Sequence, residues 1–227
     1  MTIAENLKAV QDRIAAAAKR AGRDPASVKL LVVTKTVDPA RIREAVKAGA
    51  AILGENRVQE ARDKIAQLGG LATWHLIGSL QKNKAKYAVK LFDLIHSVDS
   101  LELAQEIDQQ AARAGKIQRV LIEVNIAGED AKAGINVGTA VDLAREAAKL
   151  RNIRIQGLMT MPPYSEDPEN SRPYFQRLRE LAGVIIKENI SGLSLQELSM
   201  GMSGDFEVAV EEGATMVRVG TAIFGSR

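Results

Sequence analysis

A lysine closes the first apolar run of the chain, and an amine in that place can do chemistry. Lys35 follows Val28-Lys29-Leu30-Leu31-Val32-Val33-Thr34, a β-branched run that predicts a buried strand, and the pair Asp38-Pro39 then predicts the start of a helix. Because α/β proteins bind ligands at the carboxyl ends of such strands, Lys35 is a candidate for forming an imine with a carbonyl ligand. Two simpler interpretations stay open: the side chain extends to solvent, or it pairs with an acid.

Polar residues and glycines end the later apolar runs in the same way. They are Gly54-Glu55-Asn56, Gly78-Ser79, Asp99, Asn125, Met159-Thr160-Met161, residues 199–204 and residues 218–221. Among them, Ser203 is predicted to cap a helix that begins near Gly204, and Gly220 allows an anion to approach the backbone. A hydroxyl beside free backbone N–H groups predicts a phosphate site that needs no lysine.

Each of these residues also has an interpretation that involves no ligand. Ser203 is a helix cap in either case, and Asn56 is a candidate cap as well. Arg218 is equally able to pair with a carboxylate such as Glu197, and His75 is predicted to be a hydrogen-bonded core histidine. Packing is also the simpler role for the methionines near the strand ends, which are Met159, Met161, Met200 and Met202. A ligand site is favoured only if one fold brings the amine, the phosphate cradle and the cation together.

The elements that would position these residues alternate along the chain. Helical stretches separate eight apolar runs, which are residues 28–34, 51–53, 74–77, 94–97, 120–125, 155–159, 193–198 and 216–219. This alternation predicts an α/β fold, a (β/α)8 TIM barrel with an extra N-terminal helix, in which residues 1–227 form a single domain. An open, doubly wound sheet is the alternative.

Two stretches depart from a regular barrel. Too few residues follow Phe224 for a full eighth helix, and the additional helix at the front has apolar residues at helical spacing until Gly22. This front helix is expected to cover part of the barrel. The proline-rich residues 161–168, which follow the sixth predicted strand, are expected to form a rim or lid on the ligand face.

The composition excludes several classes of site. No cysteine is present, so disulfides, thiolate zinc sites and cysteine nucleophiles are excluded, and two histidines cannot build a histidine-rich metal site. The net charge is 31 − 28 = +3, and the cluster Lys82, Lys84 and Lys86 is either a solvated helix face or a phosphate or nucleic-acid contact. Neither a membrane span nor a signal peptide is recognisable, which predicts a cytoplasmic protein with no nucleic-acid or membrane partner.

Seven ordered blocks resemble the YggS/PROSC family of pyridoxal phosphate homeostasis proteins and extend from the first strand to Gly225. The blocks are Val33-Thr34-Lys35, Gly54-Glu55-Asn56-Arg57-Val58-Gln59-Glu60, Trp74-His75-Leu76-Ile77-Gly78-Ser79-Leu80-Gln81-Lys82-Asn83-Lys84, His96-Ser97-Val98-Asp99-Ser100, Gly157-Leu158-Met159-Thr160-Met161, Leu198-Ser199-Met200-Gly201-Met202-Ser203, and Arg218-Val219-Gly220-Thr221-Ala222-Ile223-Phe224-Gly225. Two features depart from the family. Ser79 stands where members often carry proline or histidine, and the chain ends at Arg227, a few residues early.

The resemblance implies a barrel like the N-terminal domain of alanine racemase that holds pyridoxal 5′-phosphate as an imine of Lys35. It implies that Ser203, Gly220 and Thr221 hold the phosphate. It further implies that Arg218 lies near the pyridine nitrogen and Asn56 near the ring. No catalytic residue and no metal ligand is assigned.

The implied function is cofactor storage or delivery in vitamin B6 homeostasis without robust catalysis, with apo-enzymes as recipients and a monomer or weak homodimer as the assembly. A small fold-type III pyridoxal phosphate enzyme, resembling an amino-acid racemase, is the first alternative. A barrel enzyme that acts on a sugar phosphate through a Schiff base of Lys35 is the second.

Overall fold

The parallel strands of this computed structural model, which describes residues 1–129 and 133–225, close into a barrel. In that part of the chain the strands are β1 (Lys29–Val33), β2 (Ile52–Glu55), β3 (Thr73–Leu76), β4 (Leu94–Val98), β5 (Gln118–Asn125), β6 (Ile135–Asn136), β7 (Ile153–Met159), β8 (Glu197–Ser199) and β9 (Met216–Val219). The order around the barrel is β1-β2-β3-β4-β5-β7-β8-β9 and back to β1. Because β4 pairs with β5 and β9 with β1, the sheet has no open edge there, which confirms the predicted barrel over the open sheet.

A ring of helices surrounds the strands. The helices are α1 (Ile3–Arg20), α2 (Pro39–Lys47), α3 (Val58–Leu68), α4 (Ala85–Leu91), α5 (Leu101–Arg113), α6 (Val137–Ala147), α7 (Arg172–Lys187), α8 (Phe206–Glu211) and α9 (Thr221–Phe224). Capping favours several of their starts: the side chain of Asp38 accepts a hydrogen bond from Ala40 N–H (2.8 Å), with Pro39 in the first turn of α2. Helices and strands alternate along the chain, as the sequence pattern predicts for a (β/α)8 barrel.

The front helix α1 takes the place in the ring that a long eighth helix would fill. It packs against α2, α8 and the four-residue α9, and its buried face includes Leu7, Val10 and Ile14. Asn6 Nδ2 donates to Ile223 O of α9 (2.9 Å), and Arg23 Nη1 donates to Val210 O of α8 (2.6 Å). The expectation that the front helix covers the barrel is thus confirmed, and it explains why α9 needs only one turn.

The strand alternation divides the buried side chains into two sets. Residues such as Val32, Leu53 and Val217 belong to the large core between the barrel and the helices. A smaller cluster lies inside the barrel and consists of Leu31, Val33, Ile77, Leu94, Leu121, Met159 and Met216, with Ile52 against it. Because successive side chains of a strand point to opposite faces, the residues two positions beyond these interior residues also face the barrel axis or its mouth.

Two differences from the predicted strands are larger than the shifts of one or two residues at the other strand bounds. The strand expected over residues 193–198 is shorter, since β8 begins at Glu197, and the two-residue β6 pairs with the end of β5 without entering the barrel. Neither difference moves the site residues away from the strand ends, because β8 ends at Ser199, one residue beyond the predicted end. The early chain end at Arg227 lies outside the described residues.

Candidate functional site

A cavity of about 470 Å³ opens at the carboxyl ends of the barrel strands. Its volume falls within the range of roughly 300–1,000 Å³ that small-molecule sites occupy. The sequence-predicted site residues all line it, and they are Lys35, Asn56, Ser203, Arg218, Gly220 and Thr221. The alternation explains two of these placements, since Lys35 stands two residues beyond the interior Val33 and Gly220 two beyond Arg218. One fold therefore does bring the Lys35 amine, the segments of Ser203 and Gly220, and the Arg218 guanidinium to one cavity.

The amine of Lys35 has no partner in the described part of the protein. The side chain is half-buried at the cavity, and Nζ forms neither a hydrogen bond nor an ion pair with residues 1–129 or 133–225. The interpretation of Lys35 as a lysine paired with an acid thus has no support there. An ammonium group has three donors to satisfy, so an unpartnered amine at a cavity leaves a ligand or solvent as its partner.

The hydroxyl of Ser203 joins the two segments that follow β8 and β9. Gly220 N–H donates a hydrogen bond to Ser203 Oγ (3.2 Å). The prediction that Ser203 caps the next helix is wrong, because α8 begins at Phe206 after Asp205. Asp205 Oδ1 instead accepts from Met202 N–H (2.7 Å), and this bond turns the loop so that Ser203 faces the cavity.

Arg218 is a buried cation held by two neutral acceptors. Its side chain is 3% exposed, Nη1 donates to Ser199 Oγ (2.8 Å), and Nη2 donates to the carbonyl of Thr160 (2.9 Å). The alternative interpretation, in which Arg218 pairs with Glu197, is wrong, because that carboxylate pairs with Lys29. Burial lowers the pKa of Arg218 to about 10, so the guanidinium stays charged at neutral pH. A fixed positive charge therefore lies at the base of the cavity.

Two buried histidines continue the hydrogen bonding of Arg218 into the barrel. His96 Nδ1 lies 3.0 Å from Ser199 Oγ, and His96 Nε2 lies 3.0 Å from His75 Nδ1. Burial lowers the pKa of His75 to about 3 and the pKa of His96 well below its ordinary value, so both rings are neutral. Because Arg218 donates to Ser199, the Ser199 hydroxyl can donate to His96 Nδ1, which places the His96 proton on Nε2 toward His75.

The core interpretation of His75 is therefore confirmed, and the sequence analysis missed the role of His96. The available signal was the alternation in β4, where His96 lies two residues after the interior Leu94. Ser199 is the last residue of β8, at the end of the strand that faces the cavity. Ser199 and the Thr160 carbonyl orient the Arg218 guanidinium, and His96 and His75 extend the hydrogen bonding from Ser199.

Glu123 is a buried acid that the sequence analysis also missed. It is 2% exposed, and its Oε2 has no hydrogen-bond partner among the described residues. Burial raises the pKa of Glu123 to about 7, the charge of Asp99 raises it further, and Arg218 opposes both effects. The signal in the sequence was a single charge inside the apolar run of β5, two residues after the interior Leu121.

Asn56 lines the cavity and is not a helix cap. Helix α3 begins after Arg57, and its start has no side-chain capping bond. A Cβ on the neighbouring Gly78 would overlap the carbonyl oxygen of Asn56, so a glycine is needed where β2 and β3 end side by side. Among the other strand-end residues, Glu55 is buried and pairs with Lys64, while Asn125 accepts from Gly128 N–H (3.0 Å) in a turn.

The expected rim is formed by the residues after β7. Met161, Pro163, Tyr164 and Ser165 line the cavity, and Tyr164 is 91% exposed. This confirms the rim that the proline-rich stretch predicted. The methionines divide into two pairs: Met159 and Met200 are fully buried packing residues, whereas Met161 and Met202 line the cavity.

The described residues contain neither a cluster of metal ligands nor a candidate membrane span. No three His, Asp or Glu side chains among residues 1–129 and 133–225 are arranged to hold a metal ion. No helix in that part of the chain is long and apolar enough to cross a membrane. Lys82 and Lys86 are exposed, as a solvated face requires.

A family model and two full-length relatives identify the same family for this chain. The model of the alanine racemase N-terminal domain matches residues 6–227. The pyridoxal phosphate homeostasis protein of Aquifex aeolicus is 48% identical over 228 residues, which cover 100% of this chain and 99% of that protein. That of Pseudomonas aeruginosa is 44% identical over 227 residues, covering 100% of this chain and 96% of the relative.

A solved structure agrees with these relatives. PipY of Synechococcus elongatus, determined with pyridoxal phosphate bound, is 39% identical and superposes with a TM-score of 0.86, covering 99% of this chain and 100% of PipY. The matches span nearly the full length on both sides. The chain therefore belongs to the alanine racemase N-terminal domain family and, within it, to the pyridoxal phosphate homeostasis proteins.

Proposed function

We propose that this protein binds pyridoxal 5′-phosphate covalently through Lys35 and takes part in pyridoxal phosphate homeostasis. One observation carries the proposal: the unpartnered amine of Lys35 lines the same cavity as Ser203, Gly220 and Thr221. The names of the relatives and the bound cofactor of PipY support the choice of this aldehyde over a sugar phosphate. The single domain of residues 1–227 would then serve as one cofactor-binding unit.

The donors of the cavity suit the parts of this cofactor. Ser203 and Thr221 supply hydroxyls, and the backbone N–H groups of Thr221 and Ala222, which have no partner among the described residues, follow Gly220 of the same cavity. Together these donors can hold a phosphate dianion. Val33 and Ile77 supply an apolar wall for a ring. The carboxamide of Asn56 is available to a polar substituent of that ring. We therefore assign the phosphate to Ser203, Gly220 and Thr221.

Arg218 would restrain the chemistry of the ring. When bound, pyridoxal phosphate supplies an aldehyde that an amine can attack and a ring that can accept electrons. A charged guanidinium near the pyridine nitrogen disfavours a second positive charge at that atom, and Ser199 and Thr160 hold Arg218 in place. This arrangement favours holding the cofactor over using its ring as an electron sink.

The absence of robust catalysis and the racemase-like alternative both stay predictions. A racemase needs an acid or base on each face of its substrate. Tyr164, a phenol that lines the cavity, is 91% exposed at the rim. Turnover of any common amino acid above roughly 1 per second, the low end of ordinary enzymes, would favour the enzyme. A cytoplasmic location, apo-enzymes as recipients, and a monomer or weak homodimer are likewise proposed.

Borohydride trapping tests the covalent attachment. The protein is loaded with pyridoxal phosphate and reduced, which converts an imine into a stable secondary amine, and peptides are then mapped by mass. We expect the pyridoxyl group on Lys35, because it is the one lysine among the described residues that line this cavity and its amine has no partner there. Label confined to the exposed Lys82 or Lys86 would contradict the proposal.

Replacing Ser203 with alanine should weaken cofactor binding without preventing it. The variant loses one hydrogen bond to a dianion while the backbone N–H groups remain, so the affinity should fall by about 1.5–3 kcal/mol, roughly ten- to a hundredfold. Titration of the ligand-free protein, followed by absorbance, measures this. Ser165→Ala at the rim of the same cavity is the control. Equal losses in both variants would remove Ser203 from the phosphate site.

A further inference from the structure

A buried charged cluster surrounds the backbone on both sides of Lys35. Lys64 of α3 is 6% exposed, and its Nζ donates to Thr34 O (2.6 Å), Glu55 Oε1 (2.8 Å) and Glu60 Oε1 (2.6 Å). All three donors of the Lys64 ammonium are therefore used. The Lys64 amine thus has a full set of partners, whereas the Lys35 amine has none in the described residues.

The same cluster holds the residue that precedes Lys35. Thr34 Oγ1 donates to Glu55 Oε1 (2.6 Å), and Thr34 N–H donates to Gly54 O (2.9 Å). With the carbonyl bond from Lys64, every polar group of Thr34 has a partner. The backbone that leads into Lys35 therefore has one orientation.

The residue that follows Lys35 has an unfavourable backbone conformation. Thr36 has φ 58°, in the left-handed region, which a β-branched residue rarely adopts. Its N–H donates to Glu60 Oε1, the oxygen that also accepts from Lys64. Val37 N–H donates to Thr34 O (3.0 Å) and closes the turn that contains Lys35 and Thr36. Because a strained backbone persists only where its surroundings enforce it, the Glu60–Lys64 pair adds the contact that holds Thr36 in this conformation.

Stability alone is a weak reason for such a cluster. Two carboxylates and one ammonium are gathered at the end of β2, and Glu55 Oε2 is buried without a hydrogen-bond partner among the described residues. Apolar side chains of similar volume commonly stabilise a core as well as a buried ion pair does. The cluster stands out because its bonds converge on the two neighbours of one reactive lysine.

We propose that Lys64 and Glu60 are positioning residues for Lys35: they hold Thr34 and the left-handed Thr36 so that the Lys35 amine faces the cavity. The inference rests on the proposed attachment of the cofactor to Lys35. If Lys64 is removed, Thr36 can relax to a negative φ, which turns the Lys35 side chain away from the cavity. Among the described residues, no hydrogen bond or ion pair joins this cluster to the segments after β8 and β9, so we expect those segments to keep their geometry.

Two ligands separate positioning from general stability. Pyridoxal 5′-phosphate reports attachment to Lys35 through borohydride trapping over time. Pyridoxine 5′-phosphate, which has an alcohol in place of the aldehyde, reports only the noncovalent contacts. For Lys64→Met we expect attachment to slow by at least about tenfold, because displacing a reacting group by 1 Å can cost about a hundredfold. Affinity for pyridoxine phosphate should stay within about threefold of the unmodified protein, a difference below 1 kcal/mol.

A second change tests the strain itself. Glycine adopts the left-handed region without steric cost, so Thr36→Gly added to Lys64→Met should restore part of the attachment rate. The exposed Lys82→Met is the matched control and should behave as the unmodified protein in both measurements. Should Lys64→Met fail to fold, Glu60→Gln, which weakens the same contacts, is measured in its place with the same expectation.

The outcomes distinguish the two proposals. If the unmodified protein carries no label on Lys35, the proposed function itself fails. If that label forms but Lys64→Met reacts at an unchanged rate, the positioning role is overturned. It is also overturned if the affinity for pyridoxine phosphate falls as much as the attachment rate, since the cluster is then only structural.

Discussion

Replacing Lys35 with alanine is expected to abolish covalent attachment of pyridoxal phosphate and to leave the barrel folded. The side chain is half-buried at the mouth and has no partner in the described residues, so the core loses no hydrogen bond or ion pair with it. The free energy of unfolding should change by less than about 1 kcal/mol, as for surface residues without special contacts. Noncovalent binding through Ser203, Gly220 and Thr221 should survive in weakened form.

Borohydride trapping and thermal unfolding of the same preparation check both parts of this expectation. Lys82→Ala, which removes an exposed lysine, is the control and should retain both the label and the thermal transition. If Lys35→Ala loses its cooperative transition, the lysine has a structural role and its proposed function is wrong. If the variant is still labelled with equal yield at another lysine, the attachment point is elsewhere.

Glu123→Gln is expected to raise the free energy of unfolding of the ligand-free protein at neutral pH. The gain over the unmodified protein should be about 3 kcal/mol larger at neutral pH than at acid pH. The pKa of Glu123 is raised from 4.5 to about 7 in the folded protein, chiefly by burial. Between these two values the folded state therefore binds more protons at this group than the unfolded state does. Its contribution then makes the folded state less stable as the pH rises, and a glutamine removes that loss.

The histidines act in the opposite direction and must be separated from Glu123. Burial depresses the pKa of His75 to about 3 and that of His96 well below its ordinary value, so the unfolded state binds more protons there. Their contribution increases the stability as the pH rises toward 6.5. Both histidines are present in both proteins, so the difference between the Glu123→Gln variant and the unmodified protein isolates Glu123.

Urea unfolding at pH 4.5 and at pH 7.5 measures this difference. We expect the two proteins to have similar stability at the lower pH, where Glu123 is protonated in the folded state and about half protonated in the unfolded state, and the variant to be the more stable at the higher pH. Asp142→Asn, which changes a side chain that is 71% exposed, is the control for a lost carboxyl group. A difference that does not depend on pH would mean that Glu123 is already ionised in the folded protein.

The strand ends show how far local pattern carries. The apolar runs of β1 and β9 predict Lys35 and Arg218 at the same end of the barrel, because side chains alternate with a period of two and parallel strands share a direction. The same rule places Gly220 two residues after Arg218. All six residues that pattern and resemblance together predicted for the site line the cavity.

The partners of those residues could not be predicted in the same way. Ser203 has the residue type and the position of a helix cap, yet Asp205 turns the loop and Ser203 bonds to Gly220 of the next strand end. Glu197 was a candidate partner of Arg218, but that acid pairs with Lys29. Each outcome depends on which of several donors and acceptors lie closest after folding, and a linear pattern does not contain those distances.

The sequence by itself determined the barrel, the strand directions and the set of residues at the mouth, because periodicity and chain connectivity are local properties of the chain. Only the tertiary structure decided that Glu123 and His96 are buried near Arg218, that α1 replaces a long eighth helix, and that Lys64 reaches Thr34. Burial and charge pairing arise from residues far apart in the chain. They exist only once the barrel has closed and has excluded water from its interior.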